Sequence, residues 1–222
     1  MIKRRMVFGK YDTAAHGWTL AGWSLDAATQ KTNFVDKPGG DGSWDLSTAL
    51  TDGLPRYSDR ALSVTLECSE GDRLSREAKI RHMVNMLDGM REDITLPDDT
   101  YHHIKGRIHV ARDYNDMTHA AVTVTATCEP WKYANTGTVI NLVAATTVQT
   151  ARLVNNGRRP VVPILKVEGT GASVLVVYRA ASMALSAGTY QWPDLLLTPG
   201  EHELTYSGSG TLAITYREAV LE

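Results

Sequence analysis

The chain has 222 residues, 43% of them hydrophobic, and a formal net charge of -2. That is enough apolar content for one large core or two small ones, and the near-neutral charge supplies no basic field to recruit nucleic acid. No apolar run approaches the roughly 20 residues of a membrane helix, and "MIKRRMVFGKYDT" has no apolar stretch behind its basic residues, unlike a signal peptide.

The first distinctive segment is "FVDKPGGDGSWDLSTALTDGLPRYSDR", residues 34–60. Its "PGGDGS" lacks the Lys-Ser/Thr ending of a phosphate loop, and no G-x-G-x-x-G pattern surrounds it. The spacing of Asp36, Asp41, Asp45 and Asp52 does not fit a calcium loop, and no glutamate closes one. A tight turn remains, with glycines supplying positive φ and aspartate bonding to nearby backbone.

Next, "ALSVTLECSE" alternates, with Leu62, Val64, Leu66 and Cys68 on one face. In "SREAKIRHMVNMLDG", Ile80, Met83, Val84 and Leu87 form one helical stripe. Ser75 suits the N-cap, Gly89 the C′ position, and Glu77 and Arg81 are spaced to pair. Then Ile104, Ile108 and Val110 alternate with Lys105, Arg107 and His109. "DYND" reads as a turn, and Ala120, Val122, Val124, Ala126 and Cys128 alternate again. That is a hairpin with one wet and one buried face. The two cysteines read as small buried hydrophobes; two distant thiols make neither a disulfide framework nor a zinc site.

Charged residues become roughly half as frequent after Tyr133, and "YANTGT" marks a boundary. Beyond it, strands are predicted at 139–143, 151–154, 164–168, 173–178, 202–206 and 211–216. "NNGRRP", "GTG", "SAG", "TPG" and "SGSG" read as turns between them. Short strands at this spacing predict a sandwich.

Little in the chain points to catalysis. His102 and His103 are adjacent and face opposite ways on a strand. His109 shares a face with His103 beside Lys105 and Arg107, where cations oppose a metal, so a solvated face is expected. No G-x-S-x-G is present, and Glu92 and Asp93 read as solvated. Tyr190, Trp192, Tyr206 and Tyr216 are candidates to stack sugar rings on a sandwich, although the alternation around Tyr206 and Tyr216 also fits a core.

The order of these motifs resembles the distal tail protein family of long-tailed, non-contractile bacteriophages. "KTNFVDKPGGDGSWDLSTAL" is similar to the family's strand, Gly-Asp-Gly turn and Asp-Leu segment. "RYSDRALSVTLEC" resembles its next strand with an aromatic-x-x-Arg lead-in. The helix ending "LDG", "LPDDTYHHIKGRIHV" and "VTVTATCEPWKY" follow in the family's order. "NNGRRPVVPILKVEG" and "YQWPDLLLTPGEHELTYSGSGTLAITYRE" resemble its second domain. The residues that carry the motif are Gly39, Gly40, Asp41, Gly42, Asp45, Leu46 and Arg60. The segment between Tyr178 and Tyr190 is short and leaves no room for the long arms or inserted sugar-binding modules of some members.

The resemblance implies a mainly β fold: a β-barrel-like domain with one helix over residues 1–133, then a galectin-like β-sandwich over 134–222. It implies a structural protein with no catalysis and no cofactor, placed at the tail tip of the virion after assembly in the bacterial host cytoplasm, whether from a phage or a prophage. Its partners would be itself in a six-fold ring, the tail tube protein, and a tail-tip hub or tail-associated protein. Tape measure or receptor-binding proteins are further candidates, with DNA only in transit and no membrane insertion. The alternative is a carbohydrate-binding adhesion module. Fold likeness to galectins does not by itself carry sugar binding.

Overall fold

The computed structural model describes residues 5–222; the first four residues of the basic N-terminal segment lie outside it. The described residues are mainly β with one helix, and the chain divides into two units, one ending at Lys132 and one beginning at Tyr133.

The first unit contains β1 (Val7–Phe8), β2 (Tyr11–Asp12), β3 (Thr19–Leu25), β4 (Phe34–Asp36), β5 (Ser43–Asp45), β6 (Arg60–Cys68), α1 (Arg73–Leu87), β7 (Arg91–Leu96), β8 (Asp99–Asn115) and β9 (Ala120–Ala134). One curled sheet runs in the order β2-β1-β7-β8-β9-β6-β3, and β4 and β5 form a separate hairpin. The β6–β9 ladder runs from Arg60↔Cys128 to Cys68↔Ala120. It places Leu62, Val64, Leu66, Val122 and Val124 on one buried face with both cysteines. Period-two alternation thus produces the core face.

The helix lays Ile80, Met83 and Leu87 into this core, with Val84 packed at its edge. Its start differs from expectation. Asp72 is the N-cap, and its carboxylate accepts from the Ser75 N–H at 2.8 Å. Ser75 therefore supplies an otherwise unpaired first-turn donor instead of capping one. Glu77 bonds across to Arg112 and Asn115 on β8, where the sheet offers a fixed cation and amide. The turn between β8 and β9 spans 116–119 and so takes only the last residue of "DYND", the rest of which belongs to β8: the Asp116 carboxylate accepts from the N–H groups of Thr118 and His119 at 2.7 Å each.

The second unit contains β10 (Thr138–Ala144), β11 (Gln149–Asn155), β12 (Ile164–Tyr178), β13 (Ala181–Ser186), β14 (Gly188–Gln191), β15 (Gly200–Tyr216) and β16 (Ala219–Val220). The stretches "GTG" and "SGSG" are not turns. They lie within the long strands β12 and β15, which pair from Ile164↔Thr215 to Val177↔Thr205 with a register shift between Glu168 and Ser173. β10 and β14 flank one end of this pair, and β11 and β13 flank the other. Long strands that pass through a glycine-rich bulge serve both layers of a sandwich. Leu165, Val174, Leu204, Leu212 and Ile214 fill its single core.

Candidate functional site: an exposed arm on the first unit

Beyond β3 and β6 the two chains stay paired and leave the sheet. The Asp26 N–H donates to the Ala61 carbonyl, Ser58 to Thr29, and Lys31 to Arg56. A bridge joins Gln30 to Tyr57. The pairing resumes at Leu46 and Asn33 and continues through Val35↔Trp44 to Asp36↔Ser43. The result is a two-stranded arm carrying a side loop around Leu50, which is wholly exposed.

The predicted motif residues lie on this arm, in two separate places. Gly39, Gly40, Asp41 and Gly42 form the tip. The Lys37 N–H donates to the Gly42 carbonyl at 3.3 Å, closing the turn. Gly42 has φ +75, and a Cβ there would meet no atom within 4 Å. The tip therefore demands glycine for backbone conformation and not for space. Asp45 follows, its carboxylate accepting from the Ser47 N–H at 2.9 Å. Hydrogen bonds from Ser47 hold its pKa below the usual carboxylate value. Leu46 is half exposed.

Arg60 is at the root. It is buried, and its Nε donates to the Asp26 carbonyl. Tyr57, the aromatic three residues before it, packs edge-on against Trp131. The aromatic-x-x-Arg lead-in and the "CEPW" stretch of β9 thus meet where the arm leaves the sheet.

Alternation sorts the arm's side chains. Val35, Trp44 and Leu46 share one face. Asp36, Ser43 and Asp45 share the other with Phe34, and the Ser43 hydroxyl donates to Asp36. Trp44 keeps 51% of its surface and Phe34 59%. A lone two-stranded hairpin is marginal in water, so an uncovered apolar face on one points to association.

The other concave places offer little chemistry. A cleft of about 450 Å³ is lined by Asp59, Arg91, Lys105, Arg107, Cys128 and Glu129, among others. Arg91 is paired with Glu129, and Arg107 donates to the Gly89 carbonyl. Burial pushes the Cys128 thiol up to about 12, so the nucleophilic thiolate does not form near neutrality. Tyr11, His16 and His82 stack along the start of the unit, with ring centres 4.0 and 5.4 Å apart. Burial raises the Tyr11 phenol to about 12.

Other sequence expectations shift. His102 faces Asp99 at 2.9 Å and His109 faces Asp88 at 2.8 Å. His103 is buried, 3.6 Å from the Asp93 carboxylate, rather than on a wet face. Among the described residues no group of three side chains is arranged to hold a metal. Three of the four sugar-stacking candidates, Trp192, Tyr206 and Tyr216, belong to the core of the second unit, and Tyr190 packs beside them. Burial on the inner face removes their rings from any ligand. No described helix is long and apolar enough to cross a membrane.

No protein-family model matches the sequence, and no curated protein matches it. Among solved structures the chain is similar to the SPP1 Dit (gp 19.1) protein, described as a paradigm of the hub adsorption apparatus in phages that infect Gram-positive bacteria. The TM-score is 0.68 at 13% identity, over 96% of this chain and 98% of that one. The fold is that of a phage distal tail protein. That alignment spans both units of the chain.

Proposed function

We propose that the protein is a structural component of a phage tail tip, without catalysis, which assembles with itself into a six-fold ring. The ring joins the tail tube protein on one side to a tail-tip hub or tail-associated protein on the other, and DNA passes through it. The first unit closes the ring, and the second decorates it. Tape measure and receptor-binding proteins are further contacts, and the assembled protein resides in the virion of a phage or a prophage-derived particle.

The observation that carries this reading is the end-to-end likeness to SPP1 Dit, across both units. The arm supports it, because a ring protomer needs two different surfaces that meet head to tail. Near-neutral charge supports it as well, since a strongly cationic lining would retain passing phosphates.

Native mass measurement and electron microscopy of the purified chain test the proposal. An annular oligomer is expected. A protein that stays monomeric at high concentration overturns it.

A further inference from the structure

A second surface of the first unit matches the arm. It is a recess of about 370 Å³ where β1 and β2 meet the end of α1. Phe8 and Tyr11 form its buried wall, and Met86 and Met90 flank it, each about half exposed. Lys10 and Glu92 also line it, giving one charge of each sign. Its volume lies in the range of roughly 300–1,000 Å³ that accepts a compact apolar group. Methionine side chains adapt to the shape they receive.

The arm and the recess belong to opposite ends of the strand order. The arm springs from β3 and β6, and β3 ends the sheet on one side. The recess lies against β1 and β2, which end it on the other. Projection and recess on opposite edges are the requirement for head-to-tail association of identical chains.

We infer that the apolar face of the arm, Val35, Trp44 and Leu46, docks into the Phe8–Met86–Met90 recess of a second copy of this chain. The inference deepens the ring reading and rests on it for the identity of the partner. Charge favours this occupant over the symmetric alternative. Between residues 36 and 45 the arm carries Asp36, Asp41 and Asp45 against Lys37 alone. Arm-on-arm pairing would bring like charges together, which opposes association. By alternation Lys37 shares the face of Val35, so on docking it meets Glu92 of the recess, while Asp36 and Asp45 stay on the outer face in solvent. The same aspartates disfavour an anionic lipid surface.

Thiol cross-linking between copies tests this. The native Cys68 and Cys128 are buried and leave the background silent. Val35→Cys and Met86→Cys chains are prepared separately, mixed, and treated with a short bifunctional maleimide. A linked pair of chains is expected from the mixture and from neither variant alone. A linked pair from Val35→Cys alone would show arm-on-arm contact and overturn the inference. So would a mixture that yields no linked pair.

Wild-type mass separates the two readings. If the wild type is annular and the mixture yields no linked pair, the docking is wrong and the ring stands. If the wild type is monomeric, both fall. As a check that does not depend on cross-linking, Trp44→Glu is expected to raise the concentration needed for assembly at least tenfold. Leu74→Glu, at the opposite end of α1 and also exposed, is expected to leave it unchanged. Equal effects of the two would also overturn the inference.

Discussion

Tyr57 stands edge-on to Trp131, with ring centres 5.3 Å apart and planes at 80°. The first ring lies at the root of the arm and the second near the end of β9. Edge-to-face pairs contribute about 1 kcal/mol beyond their buried area. Trp131→Ala is therefore expected to loosen the arm where it leaves the sheet. Hydrogen exchange should accelerate over residues 26–31 and 56–58 and stay unchanged in the β6–β9 ladder. Uniform acceleration throughout the unit would show that the pair supports the whole sheet instead.

Gly42 sets the conformation of the tip. A β-branched residue at φ +75 is strained by about 1–3 kcal/mol, and this strain falls on a hairpin that contributes nothing to the core. Gly42→Val should impair assembly while the melting temperature of the purified chain stays within experimental scatter of wild type. A large drop in melting temperature would tie the tip to folding.

Arg76 is fully buried on the helix stripe. It donates to the carbonyls of Gly71, Asp116 and Met117. It thereby fastens α1 to the turn between β8 and β9. Arg76→Met leaves those acceptors without their donor and should destabilise the first unit by about 2–3 kcal/mol. Arg76→Lys should recover only part, because an ammonium cannot reproduce the planar fork. Urea unfolding of the two variants measures the difference.

Acid should unfold the first unit earlier than a generic β protein of this composition. Hydrogen bonds from Ser75 lower the Asp72 pKa, bonds from Val110 and His109 lower that of Asp88, and bonds from His119 and Thr118 lower that of Asp116. Each group has a folded-state value below its unfolded value. Its contribution is therefore complete above about pH 4 and is lost as the pH falls through the lower folded value. The urea midpoint should fall steadily below about pH 4 and be flat just above it. Asp88→Asn should flatten part of that slope.

In the second unit, a Cβ at Gly208 would press into the Ser173 carbonyl oxygen, far inside van der Waals contact. Gly208→Ala is expected to cost about 3 kcal/mol or more, from strain and clash together. Gly171, also at positive φ but with open space around it, provides the control, and its alanine variant should cost only about 1 kcal/mol. Thermal unfolding that ranks the two equally would mean that close approach at the bulge contributes nothing.

The contrast between these glycines shows what the sequence could reveal. Ile80, Met83, Val84 and Leu87 announce the helix because periodicity is local. So does the alternation of β6 and β9. "GTG" and "SGSG" read as turns because glycine signals freedom without saying what it is for. Here the need is for two strands to approach closely at a bulge, a relationship between residues about 40 apart. Arg76 carried the same difficulty: an arginine on an apolar stripe is explained only by carbonyls that a distant turn brings to it. His103 was expected in water for the same reason. On the arm, the glycine tip drew attention by composition, whereas the apolar face that gives it a purpose consists of three ordinary residues, Val35, Trp44 and Leu46. Their alternation was visible, but their exposure was not. The resemblance drew attention to the glycine tip, and the exposure of the flank beside it could be read only from the structure.

Cys68 and Cys128 are both buried and unbridged, and burial keeps the Cys128 thiol protonated. Neither is placed to exchange with a soluble disulfide. The covalent structure of this protein is therefore the same in a reducing compartment and in an oxidising one. A particle part built inside a cell and used outside it would cross that boundary without a change of cross-links, and its geometry would owe nothing to the redox state of its surroundings.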